Sequence, residues 1–305
     1  MTVFSTDNKW LIDRGNGHPS VNLVVLAFVN PLKLLDQTND ASDADGVPVG
    51  MTQSAVSYFT SHGVRVMLSI GGEGYTGDWD TALSRNPARL GLNAAAAARQ
   101  LGVGIEIDYE NSSSPNLSGL QSFITAYRSA EPYAASGANP AARLTIDLAA
   151  GDQYLTALDR YATAHWLSPA EPVLDYANAM VANTQLSASS AEAEWREHVN
   201  GESQYVPPLA PAKFTGSVYL TGSQVQPECD DFANSLEDST GTFVKTVAPH
   251  GAGTTLGMLG YMFWAAGQPA ADTTNTFPPR ACEAGVGSGA TAYSIPVPMP
   301  ALRQS

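Results

Sequence analysis

Basic residues are scarce in this chain. Lys and Arg number 15 among 305 residues, against 29 Asp and Glu, for a formal net charge of −14. That balance argues against a nucleic acid partner, because phosphate backbones are held by clustered Lys and Arg. It argues equally against an anionic membrane surface. No apolar run approaches the ~20 residues that a spanning helix requires. Cys229 and Cys282 are the only cysteines, too few for a disulfide framework. They either form one bridge, closing a loop of roughly 50 residues worth up to ~4 kcal/mol, or remain two buried thiols. The five histidines, His18, His62, His165, His198 and His250, show no paired spacing, and no metal site is expected. Residues Met1–Ser5 carry neither a basic patch nor a signal-type apolar stretch, so the chain is either cytosolic or has lost a leader. An acidic surface poor in charge and rich in Gly, Ser, Thr and Asn suits a neutral polar ligand.

What the sequence does have is a series of short apolar runs. Val21–Val29 is nearly continuous and rich in β-branched residues, as a strand buried on both faces should be. Val64–Ile70, Val103–Tyr109, Arg143–Leu148, Val173–Met180, Lys213–Leu220 and Met258–Trp264 follow, and a short opening strand near Thr2–Ser5 makes eight. Between them the patterning predicts helices over Met51–Ser61, Pro87–Leu101, Leu117–Ser129, Gln153–Ala164, Ala191–Val199 and Asp230–Val247. Strands alternating with single helices imply parallel pairing through right-handed crossovers. Eight such units point to an α/β fold, a closed (β/α)8 TIM barrel, over residues 1–267. An open doubly wound sheet is the rival, but no Gly-rich phosphate loop follows the first strand, and no cofactor is expected. No internal repeat is evident. Residues 268–305 are rich in Pro, Gly, Ala and Thr and read as an extended tail packed on or trailing the barrel. A Cys229–Cys282 bridge would clip that tail to the body.

The chemistry lies in Gly102–Asn111. Along a strand, alternate side chains share a face. Glu106, Asp108 and Glu110 therefore point one way, and Val103, Ile105, Ile107 and Tyr109 point the other, under the helices. Three acids in register with no Lys or Arg among them repel one another. At least one carboxyl pKa should rise and a proton should be shared. On a solvated edge strand such a face would be unremarkable. On a central barrel strand it points into the lumen, where a carboxyl that keeps its proton can act as a general acid.

Taken in order, these segments resemble glycoside hydrolase family 18, the chitinases and related endo-β-N-acetylglucosaminidases. The resemblance runs from Val21 to Gly267. The family's S-x-G-G pattern is met by Ser69, Gly71 and Gly72. Its D-x-x-D-x-D-x-E pattern is met in part, with Val103 and Glu106 replacing its first two acids. The resemblance implies Glu110 as catalytic acid and base, Asp108 as the group that orients the substrate's acetamido arm, and Glu106 as its proton-sharing neighbour. It implies Phe28 and Trp264 as aromatics lining the sugar site, with Ser69, Gly71, Gly72, Met180, Asn183 and Tyr219 also around the substrate. Ala182 stands where the family has a tyrosine; Tyr176, Asn178, Asn183 or Tyr219 would have to supply that donor. The short stretch 221–257 leaves no room for a large insertion domain, so an open, shallow cleft and endo-cutting are expected. The implied function is hydrolysis of β-1,4 bonds in chitin or N-acetylglucosamine oligosaccharides by substrate-assisted retention, by a secreted monomer. The alternatives are a weak or inactive chitinase-like binding protein, or an endo-β-N-acetylglucosaminidase acting on N-glycans. Asp78 and Asp80, beside Trp79, are expected in a solvated loop. Asn111 and Asn116 open glycosylation sequons by pattern, and the first, adjoining Glu110, is read as a chance one.

Overall fold

The computed structural model describes residues 22–149, 154–180, 196–202, 207–219 and 260–264, with Ile12 and Pro19 besides. The predicted opening strand near Thr2–Ser5, the helix over Asp230–Val247 and the tail from 268 lie outside the described residues. Those described fall into two compact units. The first holds 23–148 and 154–177, and the second holds the remainder.

The first unit is built as the apolar runs imply. Strand β1 is Leu23–Val29, followed by helix α1, Pro31–Asp36, and a small hairpin of β2, Asp43–Ala44, and β3, Val47–Pro48. Helix α2, Gln53–Thr60, leads to β4, Arg65–Gly71. Two helices then follow in succession, α3 over Thr76–Arg85 and α4 over Pro87–Leu101. Next come β5, Gly104–Asp108, α5, Leu117–Ala130, β6, Leu144–Ala149, and α6, Thr156–His165. Strands β1, β4, β5 and β6 lie side by side in that order, all parallel. Helix α3 is a correction: the segment containing Asp78, Trp79 and Asp80 is not a solvated loop. Trp79 is fully buried, and with Ala82 and Leu83 it forms the apolar face that holds this short helix against the fold.

Helix α4 shows why its limits were legible. Asn86 caps it, its side-chain oxygen accepting from Arg89 N at 3.0 Å. Pro87 opens the first turn, where its missing N–H costs nothing. Gly102 closes it at φ 69°, in the left-handed region. Leu90, Ala94 and Ala98 line up at i, i+4 and i+8 and are fully buried. Small residues on this face let α5 approach closely: a Cβ at Gly91 would stand 2.3 Å from the Phe123 carbonyl oxygen.

The predicted strand Val173–Met180 is shorter than expected. Strand β7 is Ala177–Met180, while Val173 and Leu174 donate main-chain bonds back to the Trp166 carbonyl. In the second unit, β8, Phe214–Tyr219, pairs in parallel with β9, Gly260–Trp264, with Tyr219 opposite Trp264. The Thr215 hydroxyl donates to Asn178 Oδ1 on β7. Residues 196–200 are helical, and His198 from them is fully buried against the Phe214 ring, centroids 5.4 Å apart. Its Nε2 bonds the Ala149 carbonyl at 2.6 Å. Among the described residues no helix is long and apolar enough to cross a membrane.

Burial pushes the His198 imidazole down to about 4. The unfolded chain, near 6.5, takes up the proton first, so this group makes stability fall as pH drops from about 6.5 towards about 4. We expect His198→Gln to lower stability at pH 7 and to flatten the acid side of the stability profile by up to about one proton, or about 1.4 kcal/mol per pH unit. Urea unfolding between pH 4 and 7 checks this; parallel profiles for variant and wild type would contradict it.

Candidate active site

Parallel register carries the acids upward. Glu106 lies opposite Ser69 on β4 and Thr145 on β6, and Asp108 lies opposite Gly71. The stack therefore climbs β5 towards the C-terminal end of the strands, the end where barrel enzymes place their chemistry. Glu106 and Asp108 are each only 3% exposed, whereas Glu110, just past the strand, is half-buried. Tyr109 points the opposite way and is fully buried beneath the helices, as the alternation requires.

The top of β4 and β5 is clamped by Trp79. Its indole N–H is shared between the carbonyl oxygens of Ile70 at 3.1 Å and Asp108 at 3.0 Å. This close approach excludes any side chain at position 71: a Cβ there would stand 1.9 Å from the Asp108 oxygen and 2.2 Å from Trp79 Nε1. Gly71 and Gly72 have φ of 120° and 90°, conformations natural to glycine alone. Gly72 N then donates to the Asp108 carbonyl at 3.0 Å. A Cβ at Gly72 would meet the Phe28 ring at 3.1 Å. The S-x-G-G segment, Phe28 and the acidic strand are thus brought together. Phe28 itself follows a cis peptide bond at the top of β1, where the pairing with β4 shifts register.

Glu110 is held from several directions. On one side of it in the chain, the Tyr109 hydroxyl donates to Asp80 on α3. On the other, Asn111 Nδ2 donates to the same carboxylate at 2.9 and 3.1 Å. Asn116 N donates to the Tyr109 hydroxyl at 2.8 Å, and Asn116 Oδ1 caps α5 by accepting from Gly119 N. Both sequon asparagines are thus engaged within the fold. The Tyr154 hydroxyl, from the segment before α6, donates to the Glu110 carbonyl at 3.2 Å.

The electrostatics follow from burial and like charge. Asp108 is pushed well above the usual carboxylate range by desolvation first, then by the charges of Glu110 and Glu106, and by its hydrogen bond to Glu110. Glu110 is raised by desolvation and the charge of Glu73, and drawn back by bonds from Asp108 and the Glu73 main chain. The two shifts agree on one arrangement: Asp108 keeps the proton and donates it to the Glu110 carboxylate. Asp108 Oδ1 is buried and accepts no hydrogen bond among the described residues. Glu106 acts on Asp108 by charge from below.

Sequence reasoning missed four contributors. Asp80 and Tyr154 hold Glu110 through contacts 29 to 44 positions distant in the chain, beyond the reach of any local pattern. Glu73 sits beside Glu110 because the two glycines turn the chain there. Asp147, on β6, is a further buried acid, 3% exposed, close enough for its charge to act on the Tyr176 hydroxyl. Of the donors considered in place of Ala182, Tyr176 is 2% exposed and its hydroxyl faces Met67 Sδ at 3.9 Å, in the packed interior rather than at the mouth. Asn178 accepts from Thr215. Met180 ends β7 half-buried. Tyr219 and Trp264 end β8 and β9, but their side chains, together with Ala182, Asn183, Cys229 and Cys282, lie outside the described residues. No cluster of three His, Cys, Asp or Glu suited to a metal occurs among the described residues.

No family model matches the sequence, and no curated protein matches it. Solved structures do. The chain is similar to a crystal structure of a GH18 chitinase from Pseudoalteromonas aurantia, with 16% identity, 94% of this chain and 96% of that chain covered, and a TM-score of 0.58. Two crystal structures of a chitinase from Rhizomucor miehei align at 17% identity over 66% of this chain, with TM-scores of 0.45 and 0.40. The chain spans 63% and 58% of their respective lengths. The overlap with the Pseudoalteromonas structure shows the fold. It is an α/β barrel fold shared with that chitinase, as the alternating strands and helices lead one to expect.

Two outcomes follow for stability. Gly71→Ala should cost about 3 kcal/mol or more, by breaking the Trp79 clamp in a conformation hostile to Cβ. Gly50→Ala, where a Cβ meets nothing within 4 Å, should be near neutral. Equal unfolding midpoints would refute the clamp. Asp108→Asn should act in the other direction. The native state holds the Asp108 proton after the unfolded chain has lost it, so this group makes stability fall as pH rises above the ordinary Asp range. The variant should therefore be more stable at pH 7 by about 1–2 kcal/mol, with the gain vanishing near pH 3. Thermal melts at both pH values check the sign.

Proposed function

We propose that this chain is a glycoside hydrolase that cleaves β-1,4-linked N-acetylglucosamine chains internally, by substrate-assisted retention. The observation that carries the reading is the Asp108–Glu110 pair: a buried, protonated carboxyl donating to a half-buried carboxyl at the mouth of the strands. Substrate-assisted hydrolysis needs two such groups, one to exchange a proton with the glycosidic oxygen and one to steer the acetamido arm.

In the first step Glu110 takes over the proton that Asp108 holds at rest and gives it to the glycosidic oxygen. The sugar's own acetamido oxygen attacks the anomeric carbon as the bond to the leaving group breaks, forming an oxazolinium ion. Asp108, left ionised, accepts a hydrogen bond from the acetamido N–H, and its charge balances the developing cation. Glu110, now ionised, takes a proton from water, which opens the ring from the face the leaving group vacated, so configuration is retained. Glu106 beneath shares the proton load of Asp108. Phe28, packed against Gly72, offers an apolar wall to the sugar. The short stretch 221–257 favours an open cleft and internal cuts. The same reading has the protein act outside the cell, as a monomer, without a cofactor.

The test is a time course on the N-acetylglucosamine hexamer. Wild type should release shorter oligomers with the β-anomer first, and Glu110→Gln should lose about 10²–10⁴-fold in kcat/KM while still binding. Binding by both proteins with cleavage by neither would favour a chitinase-like lectin, the reading that Ala182 supports. Cleavage of an N-glycan core but not the hexamer would redirect the substrate class.

A further inference from the structure

Three consecutive residues of α3 grip the ends of three strands. Trp79 Nε1 donates to the last carbonyls of β4 and β5. Asp78 Oδ2 accepts from Asn30 Nδ2 at 2.6 Å. Asn30 stands just past β1, two residues beyond Phe28. Its Oδ1 turns the chain into α1, accepting from Leu32 N at 2.9 Å and Lys33 N at 3.0 Å. Asp80 accepts from Asn111 Nδ2 at 2.9 and 3.1 Å. Asn111 follows Glu110, and its Oδ1 likewise turns the chain, accepting from Ser113 N at 3.1 Å and Ser114 N at 2.9 Å. The two latches are alike. In each, an asparagine shapes its own loop with its side-chain oxygen and gives its amide to an α3 carboxylate. The Tyr109 hydroxyl adds a second donor to Asp80, from the other side of Glu110 in the chain. Successive helix residues are rotated by about 100°, so Asp78 and Asp80 leave α3 on either side of the buried Trp79.

We propose that Asp80 and Asp78 are positioning residues of this site, Asp80 for the acid Glu110 and Asp78 for the apolar wall Phe28. The inference rests on reading Glu110 as the acid and base. Glu110 lies beyond Asp108, the last residue of β5, so the strand ladder does not fix it. Asp80 does so through both of its chain neighbours. A group that delivers a proton must be placed to a fraction of an ångström, and a misplacement of about 1 Å can cost about 10²-fold in rate. Phe28 has the same need. It stands where the register of β1 against β4 shifts, between Ala27 and Val29. Asn30, latched to Asp78, is the fixed point just beyond it.

No Lys or Arg among the described residues pairs with either aspartate. Both are held by directional bonds from neutral donors, so an isosteric change of donor for acceptor is a sharp probe. Asp80→Asn sets an amide against the Asn111 amide. Kinetics on the N-acetylglucosamine hexamer should show kcat lowered by about 10-fold or more with KM unchanged. Asp80→Asn combined with Asn111→Asp rebuilds the bond with donor and acceptor exchanged and should restore most of kcat. Asp78→Asn should act mainly on KM, raising it roughly 3–10-fold. Asp36→Asn removes a different tie between α1 and α3, the exposed Asp36–Arg85 ion pair at 2.9 Å, and should change neither.

A crystal structure of Asp80→Asn reads the position without turnover. The Glu110 carboxyl should move by about 1 Å or more, and it should return in the reversed pair. An unmoved Glu110, an equal loss of kcat in Asp36→Asn, or no recovery in the reversed pair overturns the role of Asp80. An unchanged KM in Asp78→Asn overturns that of Asp78. If Asp80→Asn fails to fold, Tyr109→Phe carries the test. It keeps the ring against Trp79 and deletes the hydroxyl, and kcat should again fall at constant KM. The function and the positioning roles fail separately. A displaced Glu110 in a protein that cuts no glycan removes the function and leaves the role of Asp80. Cleavage by the wild type with Glu110 unmoved in the variant removes only the latter.

Discussion

A strand that presents Glu106, Asp108 and Glu110 on one face can be buried only if its carboxyls do not all ionise. Everything around β5 is arranged under that constraint. Water is excluded from Asp108, which raises the cost of its charge and keeps a proton there. Among the described residues that proton is donated to the Glu110 carboxylate, which stands just past the end of the strand. The repulsion that makes the strand unfavourable as structure is what the proposed chemistry would use, because a carboxyl kept protonated can serve as a general acid.

The scaffold answers with rigidity. Trp79 ties the ends of β4 and β5 through one shared N–H, and the two glycines beside it let backbones come closer than any side chain would allow. Asp80, one residue on, gathers the Tyr109 hydroxyl and the Asn111 amide, so both chain neighbours of Glu110 are pinned to the same helix. A catalytic geometry at the end of a strand is only as well defined as the segment that continues from it. Here α3 does that work for a residue it does not contain.

Patterning made the strands, the barrel and the acid stack legible, because burial on a strand has period two and a lumen-facing acid is conspicuous against it. Pro87–Leu101 was readable to the residue, since its cap, its opening proline and its closing glycine are all local signals. Helix α3 was not: ten residues with one buried aromatic and two acids look like a loop until the sheet supplies a surface for Trp79. Strand β7 starts later than its apolar run, because Val173 and Leu174 spend their N–H groups on the Trp166 carbonyl. Tyr154 and Glu73 were illegible for a different reason. Each reaches Glu110 through a turn in three dimensions, and neither spacing nor residue type announces such contacts.

Tyr109 belongs to two environments at once. Its ring lies 5.7 Å from that of Trp79, which meets Phe123 edge-on at 5.5 Å, and Phe123 in turn neighbours Tyr127. Its hydroxyl, meanwhile, is wired to the residues flanking the acid. An aromatic column running through the outer layer therefore terminates one residue from Glu110. Packing at Phe123 and Tyr127 thus bears, through Trp79 and Tyr109, on the segment that carries Glu110. A substitution made in that column for heat tolerance is therefore also a substitution in the support of the acidic strand.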